Sequence, residues 1–176
     1  MPDERAPSRA ELLEALRASR DQVLAIVRAL PPERLEEGRY EAGWNGRQIL
    51  AHIASIEWTY PRVLDIAREV PAAEVPSGTA GPEGGLPTRA MRGGNDAYNE
   101  RQVAKRAHLA VADLLAEFER NRAATIRAVE AVDEALLARR VRSAGGVVGP
   151  LASVLYQVAV VHVLGHARDI AGPGPR

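Results

Sequence analysis

The sequence contains no cysteine. That excludes disulfides, cysteine-ligated zinc, iron–sulfur clusters and a thiol nucleophile on this chain. Aromatic residues are scarce at 4%, so stacking on nucleobases is poorly supplied. Neither sign of charge dominates: 23 basic and 23 acidic residues give a formal net charge of zero. Gripping a phosphate backbone calls for a basic excess or a basic face, and nucleic acid is not an expected partner. Long hydrophobic runs are missing too. The longest mostly apolar stretch, Leu151 to Gly165, falls short of a bilayer span and runs into His166, Arg168 and Asp169. No membrane partner is expected. Met1 to Arg9 mixes charge and proline and lacks the apolar core of a signal peptide, so the expected location is cytoplasmic.

What is present fits one globular domain over 1–176: 176 residues, 46% of them hydrophobic, are enough to bury a real core. Ser8 and Glu11 stand in capping-box spacing. Leu12, Leu13, Leu16, Val23, Ile26, Val27 and Leu30 then recur at helical spacing, until Pro31 and Pro32 close the helix. Asn45 and Gln48 form a second capping box, with Trp44 and Ile49 at the staple positions. The pattern continues through Ile53, Ile56, Val63 and Ile66, and Pro61 is expected to kink or split it. From 70 to 94 prolines and glycines crowd together and periodicity vanishes, which predicts a long loop, either a lid or a disordered segment. Asn95 is the expected cap of a third helical region, Asp96 to Val132, interrupted near His108 to Val111. Leu114, Leu115, Phe118, Ile126 and Val129 mark its buried stripe, and the charged run Glu117 to Arg122 reads as an exposed face. Pro150 suits the start of a last helix, Leu151 to Ala171, ended by Gly172 and Pro173. No strand-like alternation is visible, and Gly145 to Gly149 is too short to count. Four amphipathic helices predict an all-α four-helix bundle.

Three of the four histidines fall where metal chemistry could use them. His162 and His166, four apart on the last helix, sit about 40° apart in azimuth and about 6 Å apart along the axis. Both imidazoles can reach one ion, and they share a stripe with Leu151, Leu155, Val158 and Ala159, which predicts that both face the core. Gly165 between them predicts a close approach by another helix. His52, with Gln48, Ile49, Ile56 and Thr59 around it, also points inward. Neutral imidazoles suit zinc, nickel, iron or copper, and three leave coordination positions open. The plainer reading is three hydrogen-bonded packing histidines, the commoner outcome for such residues. Burying each imidazole without a partner costs ~1–3 kcal/mol, so either reading requires partners.

Other residues are weaker candidates. Glu57 lies about 140° around the helix from His52 and points away from the site. Asp169 could orient the His166 ring, or pair with an arginine at the helix end. Tyr98, Asn99 and Arg106 either line a pocket or lie on the surface, and His108 reads as a solvated surface residue. Trp44 and Trp58 read as packing anchors. There is no phosphate loop, dinucleotide fingerprint or serine elbow.

The order of these segments carries a resemblance. It runs Trp44-Asn45-Gly46-Arg47-Gln48-Ile49-Leu50-Ala51-His52, a glycine-rich insert, Asn95-Asp96-Ala97-Tyr98-Asn99-Glu100, then His162-Val163-Leu164-Gly165-His166. In this order and spacing the chain resembles the DinB-like (YfiT-like) metalloenzyme superfamily from about Ser8 to Ala171. The resemblance implies a four-helix bundle in up-down-down-up order, often a homodimer. It implies a divalent metal, commonly zinc or nickel, whose three histidine ligands match His52, His162 and His166. Gln48, Asn99 and Asp169 are weaker candidates to orient the ligands or line the pocket, and no catalytic residue is assigned.

The superfamily includes thiol-dependent S-transferases using bacillithiol or mycothiol, a mycothiol-dependent maleylpyruvate isomerase, hydrolases and members without assigned activity. The leading expectation is therefore thiol-dependent S-transfer on a small-molecule electrophile. Any thiol would have to arrive as a small-molecule co-substrate, since the chain has none. Metal-dependent hydrolysis is the first alternative, and a non-catalytic bundle that binds or sequesters a small molecule is the second.

Overall fold

The computed structural model describes residues 5–38, 43–69 and 94–172. Helix α1 (Arg9–Ala29) opens on the predicted capping box, with Ser8 and Glu11 satisfying each other's end of the first turn. It stops ahead of Pro31, and a single turn, α2 (Pro32–Leu35), follows. Helix α3 (Gly46–Glu57) begins at the Asn45–Gln48 capping box. As Pro61 predicts, the second helical run is split, and α4 (Tyr60–Glu69) continues it. Helices α5 (Gly94–Lys105) and α6 (Val111–Glu130) are separated at the expected interruption, with His108 exposed between them. A short α7 (Glu134–Leu137) is capped by Asp133. The expected loop over 70–94 lies outside the described residues except for Gly94, which opens α5.

Two local expectations are corrected here. A small antiparallel hairpin is present: β1 (Arg140–Arg142) pairs with β2 (Val148–Pro150) in the register Val141 opposite Gly149. Three-residue strands are too short to show alternation. The hairpin is legible only in its turn, where Gly146 takes φ 88 and its N–H donates to the Ser143 carbonyl. Asn95 is also not a cap. It lies inside the first turn of α5, and its Nδ2 donates to the Ala144 carbonyl at 2.6 Å, tying α5 to the hairpin.

The last helix is not uniform. Helix α8 (Leu151–Leu155) passes into a π-helical turn (Tyr156–Val161) and then α9 (His162–Ala171), which ends at Gly172 with φ 74.

Side-chain contacts give the bundle its topology. The start of α1 meets the end of α6, where Arg9 donates to the Val132 carbonyl and Arg17 pairs with Glu130, so these two helices are antiparallel. Helix α3 runs parallel to α6: Arg47, near its start, reaches Ala107 just before α6, while Ala54 accepts from Asn121 further along. The last helix runs back, with Tyr60 against Val158 and the His52 ring 5.0 Å from that of His166. The order is therefore up, down, down, up. Helices α1 and α3 each pack on both α6 and α9. The seam is filled by fully buried side chains such as Leu12, Leu16, Phe118, Leu114 and Leu151, each contributing ~1.5–3 kcal/mol by burial.

The centre of this apolar seam holds an ion pair. Arg122 and Glu57 have no exposed surface, and Arg122 donates from Nε and Nη2 to the two carboxylate oxygens at 2.7 and 2.9 Å. This corrects the exposed reading of Glu117 to Arg122. Arg122 falls in phase with Phe118, Thr125 and Val129, and periodicity outranks charge. Glu117 also turns inward, in a largely buried bidentate pair with Arg106. Burial holds the Glu57 carboxyl above its ordinary value, and Arg122 and Thr125 offset only part of that rise. All three hydrogen bonds around it are donated to the carboxylate, which holds the pair as ions.

Candidate metal centre

Helix α3 carries His52 on the face it turns toward α9, and α9 contributes His162 and His166. One nitrogen from each imidazole lies within 4.8 Å of the others. Ring centroids are 4.4 Å apart for His162–His166, 5.0 Å for His52–His166 and 5.9 Å for His52–His162, with the rings nearly perpendicular to one another. Such edge-on convergence aims nitrogens at a common point instead of stacking ring faces.

His52 and His166 are buried at 4% and 7% exposure, whereas His162 is exposed. The expectation that both α9 histidines face the packed core holds for His166 only. Extrapolating the Leu151–Leu155 stripe at α-helical spacing leads to Val158 and His162. Ala159 is buried as the stripe predicts, but the buried face then passes to Val160 and to Val163, one residue beyond His162. The π turn accommodates that extra residue, about 100° of rotation. It moves Val158 and His162 out of the seam and onto the wall of a cavity. The His162 N–H makes the defining bond, to the Gln157 carbonyl five residues back. Gly165 likewise departs from expectation: a Cβ there would meet open space, so no helix approaches it closely.

His52 Nδ1 is a buried nitrogen with no hydrogen-bond partner. Burial first, and then the nearby His166 and His162, lower its pKa from 6.5 to about 3. The ring is neutral at ordinary pH and keeps a lone pair for a Lewis acid. On His166, Asp169 Oδ2 stands 3.6 Å from Nδ1 and Nε2 is buried. A carboxylate on the Nδ1 side favours the tautomer whose Nε2 carries the lone pair. A donor set of three imidazoles fits zinc or nickel, so the residues present suit the group that the sequence resemblance implies.

The triad forms part of the wall of a cavity of about 700 Å³, within the usual range for small-molecule sites. Its apolar walls come from Ile56 of α3, Val63 and Ile66 of α4, Val147 of the hairpin, and Val158 and Val161 of the π turn. Polar groups enter from α5, where Asp96, Tyr98, Asn99 and Glu100 line it, and from Arg62 of α4. Asn99 thus lies where a pocket residue is expected. Gln48 does not line this cavity. Its side chain accepts from the Asn45 N–H in the capping box, and it borders a separate cavity of about 120 Å³ shared with Arg106.

Three further aromatic residues bear on the cavity: Trp44 and Tyr60 line it, and Trp58 touches its lining residues Tyr98 and Arg62. Trp44 packs its indole 5.1 Å from His52 and donates Nε1 to Glu100. Trp58 is 40% exposed, not a buried anchor; it donates to the Tyr98 hydroxyl and carries the Arg62 guanidinium 4.0 Å above its ring. Tyr60, buried, lines the cavity and donates to the Val158 carbonyl at 2.7 Å. Burial, and then Glu57, push its phenol well above its usual value, which keeps it a donor. Only Trp44 had a sequence signal, its staple position one residue before the Asn45 cap. Trp58 and Tyr60 flank the break between α3 and α4, and no local spacing marks their partners Tyr98 and Val158.

Comparison with known proteins places these features. A family described as mycothiol maleylpyruvate isomerase N-terminal domain matches residues 16–171. No curated protein matches the chain. Among solved structures, a mycothiol-dependent maleylpyruvate isomerase superposes with a TM-score of 0.67 at 17% identity, covering 96% of this chain and 62% of that one. The chain therefore spans less than two thirds of that enzyme's length. YfiT from Bacillus subtilis, described as a probable metal-dependent hydrolase with an unusual four-helix bundle topology, gives a TM-score of 0.66 at 14% identity. That match covers 97% of this chain and 89% of YfiT.

Proposed function

The chain belongs to the mycothiol maleylpyruvate isomerase N-terminal domain family, a branch of the DinB/YfiT-like fold, and from that premise we propose that it is a metal-dependent enzyme acting on a small molecule. The observation that carries this reading is the convergence of His52, His162 and His166, with nitrogens within 4.8 Å, on the wall of a cavity of about 700 Å³. The three imidazoles would hold zinc or nickel. Such an ion supplies Lewis acidity: it lowers the pKa of a bound thiol or water and polarises an electrophile.

The protein's own part is to bind, orient and exclude water. His52 and His166 are closed off by packing, and His162 faces the cavity, so the open side of the triad is the side a substrate reaches. Valine and isoleucine walls displace water from the substrate's apolar surface. Asn99, Tyr98 and Arg62 offer hydrogen bonds and a positive charge that can fix its polar end. Asp169, 3.6 Å from His166 Nδ1, would favour the tautomer that leaves Nε2 its lone pair.

The reaction we favour is transfer to or from a low-molecular-weight thiol on a small electrophile. The family's description supports it, and the absence of cysteine requires that the sulfur come from a co-substrate. Metal-dependent hydrolysis is the second reading, favoured by the likeness to YfiT over nearly the whole of both chains.

Elemental analysis of untagged protein purified without chelator, beside His52→Ala and His166→Ala, tests the premise. About one zinc or nickel per chain is expected in wild type and none in either variant. A wild-type protein that also fails to take up added zinc and nickel would refute it. The loaded protein is then offered electrophiles with and without mycothiol- or bacillithiol-type thiols. Turnover only with thiol supports transfer, turnover without thiol supports hydrolysis, and tight binding without consumption leaves a sequestering bundle.

A further inference from the structure

The π turn is what brings His162 to the cavity, and a π turn is weaker than the α-helix around it. It needs external support. Two side chains from other helices provide that support at consecutive carbonyls. Tyr60 donates its hydroxyl to the Val158 oxygen at 2.7 Å, and Arg122 donates Nη2 to the Ala159 oxygen at 2.6 Å. Both donors are themselves buried and anchored. Arg122 is held by Glu57, the Ser19 hydroxyl and the Leu16 carbonyl, so all four helices of the bundle meet at this point. Tyr60 opens α4, directly after the break that Pro61 imposes.

We propose that Tyr60 and Arg122 are positioning residues for the metal centre: by donating to the Val158 and Ala159 carbonyls they hold the π turn that aims His162 toward His52 and His166. Neither residue touches the ion. Without them the segment relaxes toward regular α-helical hydrogen bonding, and His162 rotates out of the wall of the cavity. The Arg122–Glu57 pair, which looks purely structural from its depth, thereby acts on a site it does not reach. This inference rests on the metal-centre reading above, and the test separates the two.

Tyr60→Phe removes one hydroxyl and keeps the ring. Zinc affinity of metal-free protein is measured by chelator competition for wild type, Tyr60→Phe, Arg122→Lys and the control Val129→Ala. Val129 is a fully buried α6 residue away from the cavity. Amide hydrogen exchange at Val158 to Val163 is read in parallel. The expected result is zinc affinity about tenfold weaker in Tyr60→Phe and faster exchange through the π turn, with Val129→Ala less stable but unchanged in affinity. Wild-type affinity and exchange in Tyr60→Phe would overturn the proposal, as would an equal loss of affinity in Val129→Ala, which would show a general effect of stability. Arg122→Lys is expected to resemble Tyr60→Phe; if it does not fold, Tyr60→Phe still decides. Failure of the wild type to bind zinc would strike the metal reading itself, leaving the exchange measurement to judge the π turn.

Discussion

Single side chains in this molecule are set by burial more than by type, and His52 and Arg122 show it in opposite ways. His52 is held neutral, its pKa lowered from 6.5 to about 3. Between those values the unfolded chain binds a proton that the folded one refuses. The stability this preserves is complete above about pH 6.5 and is lost as pH falls toward 3. Metal-free protein should therefore lose ~2 kcal/mol between pH 7 and pH 5 through this group. Urea denaturation at both values, beside His52→Ala, checks it: the variant should show a shallower loss, and an identical one would place the acid sensitivity elsewhere. Arg122 is fully buried, and Glu57 and two backbone carbonyls accept its hydrogen bonds. Arg122→Met should destabilise by ~3–5 kcal/mol, since it strands the carboxylate. The double variant Arg122→Met with Glu57→Leu should be more stable than Arg122→Met alone, by the same denaturation measurement. The pairing of His162 with His166 is legible in their four-residue spacing, whereas the predicted inward phase holds for His52 and His166 and fails for His162, which is exposed; adding His52 to the pair as a ligand set comes from the family resemblance. Arg122 sits in a charged run, and only its phase with Phe118 and Val129 marks it as buried.

At the scale of elements, the helix starts are written most plainly. Ser8 with Glu11 and Asn45 with Gln48 both form the reciprocal bonds their spacing predicts, and Pro61 divides the second run where expected. Asn45→Ala should cost ~1 kcal/mol, read as a lower thermal midpoint, with zinc content unchanged because His52 lies beyond the first turn. The π turn was not legible. Nothing in Tyr156 to Val161 distinguishes it from α-helix; it exists because the seam accepts Ala159 and Val163 while Tyr60 and Arg122 meet the carbonyls. The hairpin was missed because its strands are three residues long. Gly165 was read as a packing glycine, yet it faces open space. Gly165→Ala should therefore stabilise the protein by ~0.5–1 kcal/mol without weakening zinc binding. A loss of stability would reveal a neighbour at that position.

For the whole molecule, the up-down-down-up order places α3 and α9 side by side and antiparallel, which is what allows ligands from both to meet. Bundle class followed from four amphipathic segments, while the order of the helices came from resemblance and is carried physically by contacts distant in sequence, such as Arg9 with Val132. Among the described residues no helix is long and apolar enough to cross a membrane. A ligand that binds only the folded bundle stabilises all of it at once. Saturating zinc at about 100 times its dissociation constant should add ~2.7 kcal/mol, seen as a raised thermal midpoint that chelator reverses and His166→Ala abolishes.

The distribution of the triad along the chain has a consequence for the protein's synthesis. His52 is made early, and the other two imidazoles follow only with α9. A chain from which α9 has not yet emerged offers one of the three imidazoles and no π turn, so a complete donor set exists only once the last helix has formed. An ion arriving once the bundle has closed would meet the triad from the cavity side, where His162 is the exposed imidazole.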